Sequence, residues 1–147
     1  MASTNPGGDG NASNPQARQF ALRQLYIKDV SFESPNTPGI FSAGAIEPEV
    51  KMNLQSGNKQ VGPDAWEVVL HIEVHATAQE KSLFLVEIDQ AGLFQLSGYT
   101  PEETQLILGT HCPATLFPYA RELISSLVGR GGFPTLLLQP INFDAVY

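Results

Sequence analysis

Three histidines, one cysteine and fifteen acidic side chains are the groups in this 147-residue chain with the means to do chemistry. His71, Glu73 and His75 alternate on one predicted strand face, and two imidazoles with a carboxylate are a donor set that binds zinc. Side chains two apart on a strand stand about 7 Å from each other, and those four apart about 13 Å. One ion cannot take both histidines without another element, so a solvated polar face without metal is expected. His111 and Cys112 are neighbours in sequence, but a thiol nucleophile needs a base brought to it in space. Gly129-Arg130-Gly131-Gly132 lacks the lysine, the hydroxyl residue and the spacing of a phosphate loop. Glu47 with Glu49 fits an exposed strand face, and Glu102 with Glu103 a helix start, better than acid–base pairs. Asn11-Ala12-Ser13 matches a glycosylation sequon, in a chain that shows no secretory signal. No catalytic residue, metal or cofactor is expected. Binding, not turnover, is the class of function left.

The chain carries eight basic residues, scattered singly, and a net charge of −7. That excludes a nucleic-acid partner, which needs clustered Lys and Arg. No apolar run reaches the length of a membrane span. With Cys112 alone, neither an internal disulfide nor a cysteine metal cluster can form, in keeping with a reducing cytosol. Met1 to Gln19 contains no Leu, Ile, Val or aromatic residue, so residues 1–19 are expected to be a disordered tail. Residues 20–147 then form one domain.

The elements follow from the patterning. Phe20 to Phe32 is a strand with apolar residues on both faces over its first half. The Pro- and Gly-rich Ser34 to Ala45 breaks it, a connection long enough to be marked as functional. Ile46 to Leu54 alternates as a half-exposed strand, and Gln55 to Lys59 is predicted to be a turn. Trp66 to His75 alternates most clearly. Leu83 to Ile88, apolar on both faces, makes a fourth strand that continues to Leu93 and Phe94. Thr100-Pro101-Glu102-Glu103 is a capping box opening a short helix that ends near Gly109. Pro118 to Val128 is predicted to be an amphipathic helix stopped by Gly129, and Asn142 caps a last turn from Phe143. Strands before helices predict an α+β fold: a four-stranded antiparallel sheet with helices packed on one face. The apolar surplus in Leu83 to Ile88 and in Ile40, Phe41, Phe133, Phe143 and Tyr147 exceeds what one covered face absorbs. It either completes the core from loops and helix ends or forms a subunit interface and an apolar groove.

These stretches resemble the SecB family of protein-export chaperones. The likeness is carried by Tyr26 to Asn36, Pro48 to Lys51, Trp66 to Leu70, Phe84 to Phe94, Cys112-Pro113, Leu116 to Glu122, Arg130 to Pro134 and Pro140 to Ala145, in order along the whole domain. The resemblance implies a cytoplasmic, ATP-independent chaperone, without enzymatic activity, that binds unfolded secretory precursors and delivers them to the SecA motor. It implies a homotetramer, a dimer of dimers, with no nucleic acid and no membrane insertion. Carried over residue by residue, Asp29, Glu33, Leu85 and Glu87 bind SecA, while Val86, Ile88 and Gln90 serve assembly. The client groove takes Ile40, Phe41 and Ile46 from one wall and Phe143 and Val146 from the other. Two departures stand out: the chain ends at Tyr147, where family members continue into a longer helix and polar tail, and it begins with a longer Gly/Asn-rich segment. An unstable antitoxin as client, a small hydrolase using Cys112 and a histidine, and a purely structural oligomer are the alternative functions.

Overall fold

The structure, a computed structural model, describes residues 17–44 and 47–147. The strands are β1 (Gln19–Glu33), β2 (Glu49–Gly62), β3 (Ala65–Ala78) and β4 (Lys81–Ser97). Helices α1 (Pro101–Gly109), α2 (His111–Arg130) and the short α3 (Phe143–Val146) follow. One antiparallel sheet runs in the order β1-β4-β3-β2, as the patterning predicts for fold class. Both edges are strands that precede the central pair in sequence. The β1–β2 connection is long because it crosses the end of the sheet from one edge to the other, about 14 Å at the usual strand spacing.

Strand β1 explains its own two-faced pattern. Its pairing with β4 slips between Leu22 and Gln24 and again between Ile27 and Asp29. Each bulge adds a residue and reverses which parity faces the core. Phe20 and Leu22, then Leu25 and Ile27, then Val30 and Phe32 therefore sit opposite Leu96, Phe94, Gly92, Gln90, Ile88 and Val86, all on one side. The other side receives Gln24, Tyr26, Asp29, Ser31 and Glu33.

That first side is covered by α2. Leu116, Phe117, Ala120, Ile124 and Val128 recur at helical spacing and are buried against Val68, Leu70, Ile72 and Val74 of β3 and Val86, Ile88 and Phe94 of β4. α1 opens on the predicted capping box, Thr100 Oγ1 accepting from Glu103 N and Glu103 Oε1 accepting from Thr100 N. α2 is longer than predicted. It starts at His111, so Pro113 falls in the first turn, where its missing N–H costs nothing, and Pro118 lies inside the helix. The apolar anchors on both sides of Pro118 hold the helix to the sheet through the lost hydrogen bond. Beyond Gly131, residues 133–142 run back along α2, where Ser125 Oγ donates to the Leu136 carbonyl.

The predicted turn at Gln55 to Lys59 is instead part of β2, each residue paired with β3. The reversal comes later, at Pro63-Asp64, with Asp64 in the left-handed region at φ 58°. Gly57 and Asn58 are turn formers by type. They lie on an edge strand whose partner continues for its full length, and pairing overrides their propensity. Residues 1–16, with the sequon and most of the expected tail, lie outside the described residues, and β1 already begins at Gln19.

Candidate functional site

The helix-free face of the sheet collects the acidic side chains. Reading across it from β1 to β3, Asp29 pairs with Asp89 and Asp89 with His71. Ser31 pairs with Glu87 and Glu87 with Glu73, while Glu33 pairs with Leu85 and Leu85 with His75. The register thus brings Asp29, Glu33, Leu85 and Glu87, separated by more than fifty positions in sequence, onto one patch with Glu73 and Asp89 beside them. Of the five carboxylates, Glu73 and Asp89 lie against the His71 imidazole. Its Nδ1 lies 2.6 Å from Asp89 Oδ1 and its Nε2 3.7 Å from Glu73 Oε2. The hydrogen bond to Asp89, more than the neighbouring charges, raises the imidazole pKa above its ordinary value. Among the described residues, no Lys or Arg forms an ion pair with any of the five.

Two lysines of this face, Lys28 and Lys59, are held at Glu67. Glu67, 8% exposed, accepts from the Tyr26 hydroxyl at 2.6 Å and from Lys28 Nζ at 3.2 Å, with Lys59 Nζ at 3.9 Å. Tyr26 and Lys28 reach it from β1 across the small Ala91 of β4. The Tyr26 hydrogen bond outweighs burial and holds the Glu67 carboxyl below its usual pKa. Burial, reinforced by Glu67, pushes the phenol up to about 12. Sequence patterning did not reveal this network, because the reach of Tyr26 over β4 depends on the β1 bulges. The one signal was an acid, Glu67, set between Trp66 and Val68 in an apolar strand.

A second feature lies at the sheet end spanned by the β1–β2 connection. Ile40, Phe41, Pro48, Leu83, Phe133 and Pro134 line an open apolar cleft of about 350 Å³. Phe41 is 52% exposed, and its ring begins an aromatic series running inward: Phe41 to Phe133 at 5.5 Å, Phe133 to Phe84 at 5.1 Å, Phe84 to Phe32 at 5.9 Å. Gly132, at φ 88°, is pressed against Phe41: a Cβ there would stand 3.0 Å from the ring.

The remaining expected site residues fall in three places. Ile46 lies outside the described residues. Phe143 and Val146, expected as the second wall of the client groove, do not line this cleft. Phe143 is buried against Phe117 of α2, 5.9 Å between rings, and the adjoining Tyr147 packs over Gly109, the last residue of α1, just before α2 starts. The cleft is at the other end of that helix, whose 20 residues span about 30 Å. The Asn142 cap, Oδ1 accepting from Ala145 N, turns the chain so that Phe143 points inward. Val86, Ile88 and Gln90 are buried inside the subunit, on the helix-covered face, and Gln90 Nε2 donates to the Tyr26 carbonyl. Cys112 is buried and its thiol is pushed up to about 12 by desolvation, while His111 stacks edge-on against Phe20. A thiol in that state is no nucleophile near neutral pH.

A charged sheet face and a separate aromatic cleft, carried on one small α+β scaffold, are surfaces suited to binding other polypeptides. Comparison with known proteins makes the class specific. The SecB family, described as preprotein translocase subunit SecB, matches residues 13–147. The chain is 51% identical to the protein-export protein SecB of Methylococcus capsulatus, over 88% of this chain and 83% of the relative. It is 47% identical to that of Hahella chejuensis, over 93% and 86%. Among solved structures, a SecB-like chaperone of Mycobacterium tuberculosis, in complex with an antitoxin peptide, shares the fold at TM-score 0.64. It is 18% identical, with 83% of this chain and 90% of that one covered. The chain belongs to the SecB family of protein-export chaperones. No helix among the described residues is long and apolar enough to cross a membrane.

Proposed function

We propose that this chain is an ATP-independent cytoplasmic chaperone that holds unfolded secretory precursors and delivers them to the SecA motor. The observation that carries the reading is that an acidic sheet face and an apolar cleft occupy separate surfaces of the subunit. Asp29, Glu33, Leu85 and Glu87 form a flat acidic docking face, whose carboxylates have no Lys or Arg partner among the described residues. A cationic surface of SecA suits it, since complementary charge steers encounter and fixes register. The apolar cleft at Ile40 and Phe41 offers aromatic contact and few polar groups, as a site for many unrelated extended chains requires.

Assembly as a dimer of dimers is part of the same proposal. Edge strand β1 has one unpaired side, and its Ile27 and Val30 are 49% and 44% exposed on the face that α2 otherwise covers. A second subunit supplies the missing cover. Val86, Ile88 and Gln90, buried within the subunit, act on assembly by shaping the layer packed on them and not by touching the partner. The export role is favoured over an antitoxin client because the relatives at 47–51% identity are protein-export proteins.

Isothermal titration with a reductively unfolded precursor, and separately with SecA, tests the assignment. Glu87→Lys is expected to lose SecA while keeping the precursor, and Phe41→Asp to do the reverse. Wild-type protein that binds no unfolded chain would end the chaperone reading.

A further inference from the structure

We infer that His71, Glu73 and Glu87 form a site for one divalent transition-metal ion per subunit, with Asp89 orienting the imidazole. One ligand atom from each of the three residues lies within 4.8 Å of the others. Two come from β3, and Glu87 comes from β4, directly opposite Glu73. The expectation of no metal rested on the distance between His71 and His75. His75 is indeed engaged elsewhere, its Nε2 at 3.1 Å from Ser82 Oγ, and the third donor arrives from the neighbouring strand.

Three features favour a cation. First, Asp89 Oδ1 at 2.6 Å takes the Nδ1–H of His71, which leaves the Nε2 lone pair on the side of Glu73. A carboxylate behind an imidazole is the arrangement that fixes tautomer and ring orientation in metal sites. Second, Glu73 and Glu87 are like charges directly opposed across a strand pair, which is destabilising until something positive lies between them. No Lys or Arg forms an ion pair with either among the described residues. Third, ligand atoms around a zinc-sized ion sit about 3–3.5 Å apart for bonds near 2.1 Å. Small rotamer changes of two part-exposed glutamates close the difference.

One nitrogen and two carboxylates suit zinc, cobalt or nickel better than magnesium or calcium, which take oxygen ligands. Three protein ligands leave room for water. Metal binding is read on the chaperone alone and does not depend on the docking proposal. Only its consequence does, because an ion at Glu87 removes negative charge from the docking face.

The test titrates the full chain, without an affinity tag, with Zn²⁺ by calorimetry and with Co²⁺ by visible absorption. One saturable ion per subunit is expected, lost in His71→Ala and in Glu73→Gln/Glu87→Gln. Asp89→Asn should weaken it about 10–100-fold, and His75→Ala and His111→Ala should leave it unchanged. Circular dichroism of each variant confirms that the fold survives; these part-exposed positions lie outside the core. Absence of saturable binding by the wild type, its persistence in His71→Ala, or equal binding of Mg²⁺ would overturn the assignment.

Discussion

The two faces of this sheet are built from the same strands and differ in almost every property. On the α2 side, β3 contributes Val68, Leu70, Ile72 and Val74, all fully buried. On the other, the intervening residues Glu67, Val69, His71, Glu73 and His75 face outward, with Glu87 and Asp89 beside them. Side-chain alternation lets one backbone serve cohesion and recognition at once. Substitutions on one side should therefore cost stability, and on the other side binding. Two exceptions sharpen the contrast: Glu67 is a buried charge on the helix-free face, and Gln90 a buried amide on the helix-covered one. Both are hydrogen-bonded to Tyr26, which ties edge strand β1 to the centre of the sheet.

The largest effect expected is on the covered face. Phe94 is fully buried and packs on Phe20 at 5.6 Å, so Phe94→Ala should lower unfolding free energy by about 3–5 kcal/mol in urea titrations. Gly92 comes next. A Cβ there would meet Leu22 Cδ1 and Phe94 Cε1 at 2.9 Å and Leu116 Cδ2 at 3.0 Å, so Gly92→Ala should cost about 1–3 kcal/mol through overpacking.

Glu67 gives an effect that depends on pH. Its pKa is lowered in the folded state, so its ionised form stabilises the fold above the unfolded pKa near 4.5. That contribution is lost as pH falls through the folded value. Wild type should exceed Glu67→Gln in stability at pH 7, with the gap closing below pH 4.5; a gap independent of pH would show that the charge is not what matters. The smallest stability change is expected for Glu87→Lys, within about 0.5 kcal/mol of wild type, despite its loss of SecA. Destabilisation comparable to Phe94→Ala would erase the distinction between the faces.

The covered face was legible in the sequence wherever pairing followed strict alternation, as in Trp66 to His75, and wherever caps carry their own chemistry, as at Thr100 and Asn142. It was not legible where an added residue shifts parity. Phe20 to Phe32 is apolar on both faces when counted evenly, and only the two bulges sort it. Gly57-Asn58 and Pro118 misled for a common reason: local propensity amounts to a few kcal/mol at most and yields to pairing along β3 and to burial under α2. The acidic patch required register, which decides that Glu87 faces Glu73 and Asp89 faces His71. The placement of Phe143 required the path of residues 133–142 back along α2. Its aromatic type fits a groove wall and a core position equally well.

Docking and client holding are expected to use separate surfaces of one subunit. An unfolded precursor titrated into the chaperone already saturated with SecA tests it most directly. A ternary complex is expected, with precursor affinity within about twofold of that for the free chaperone, a change worth only about 0.4 kcal/mol. Displacement of SecA by the precursor, in proportion to occupancy, would place both ligands on one surface and contradict it.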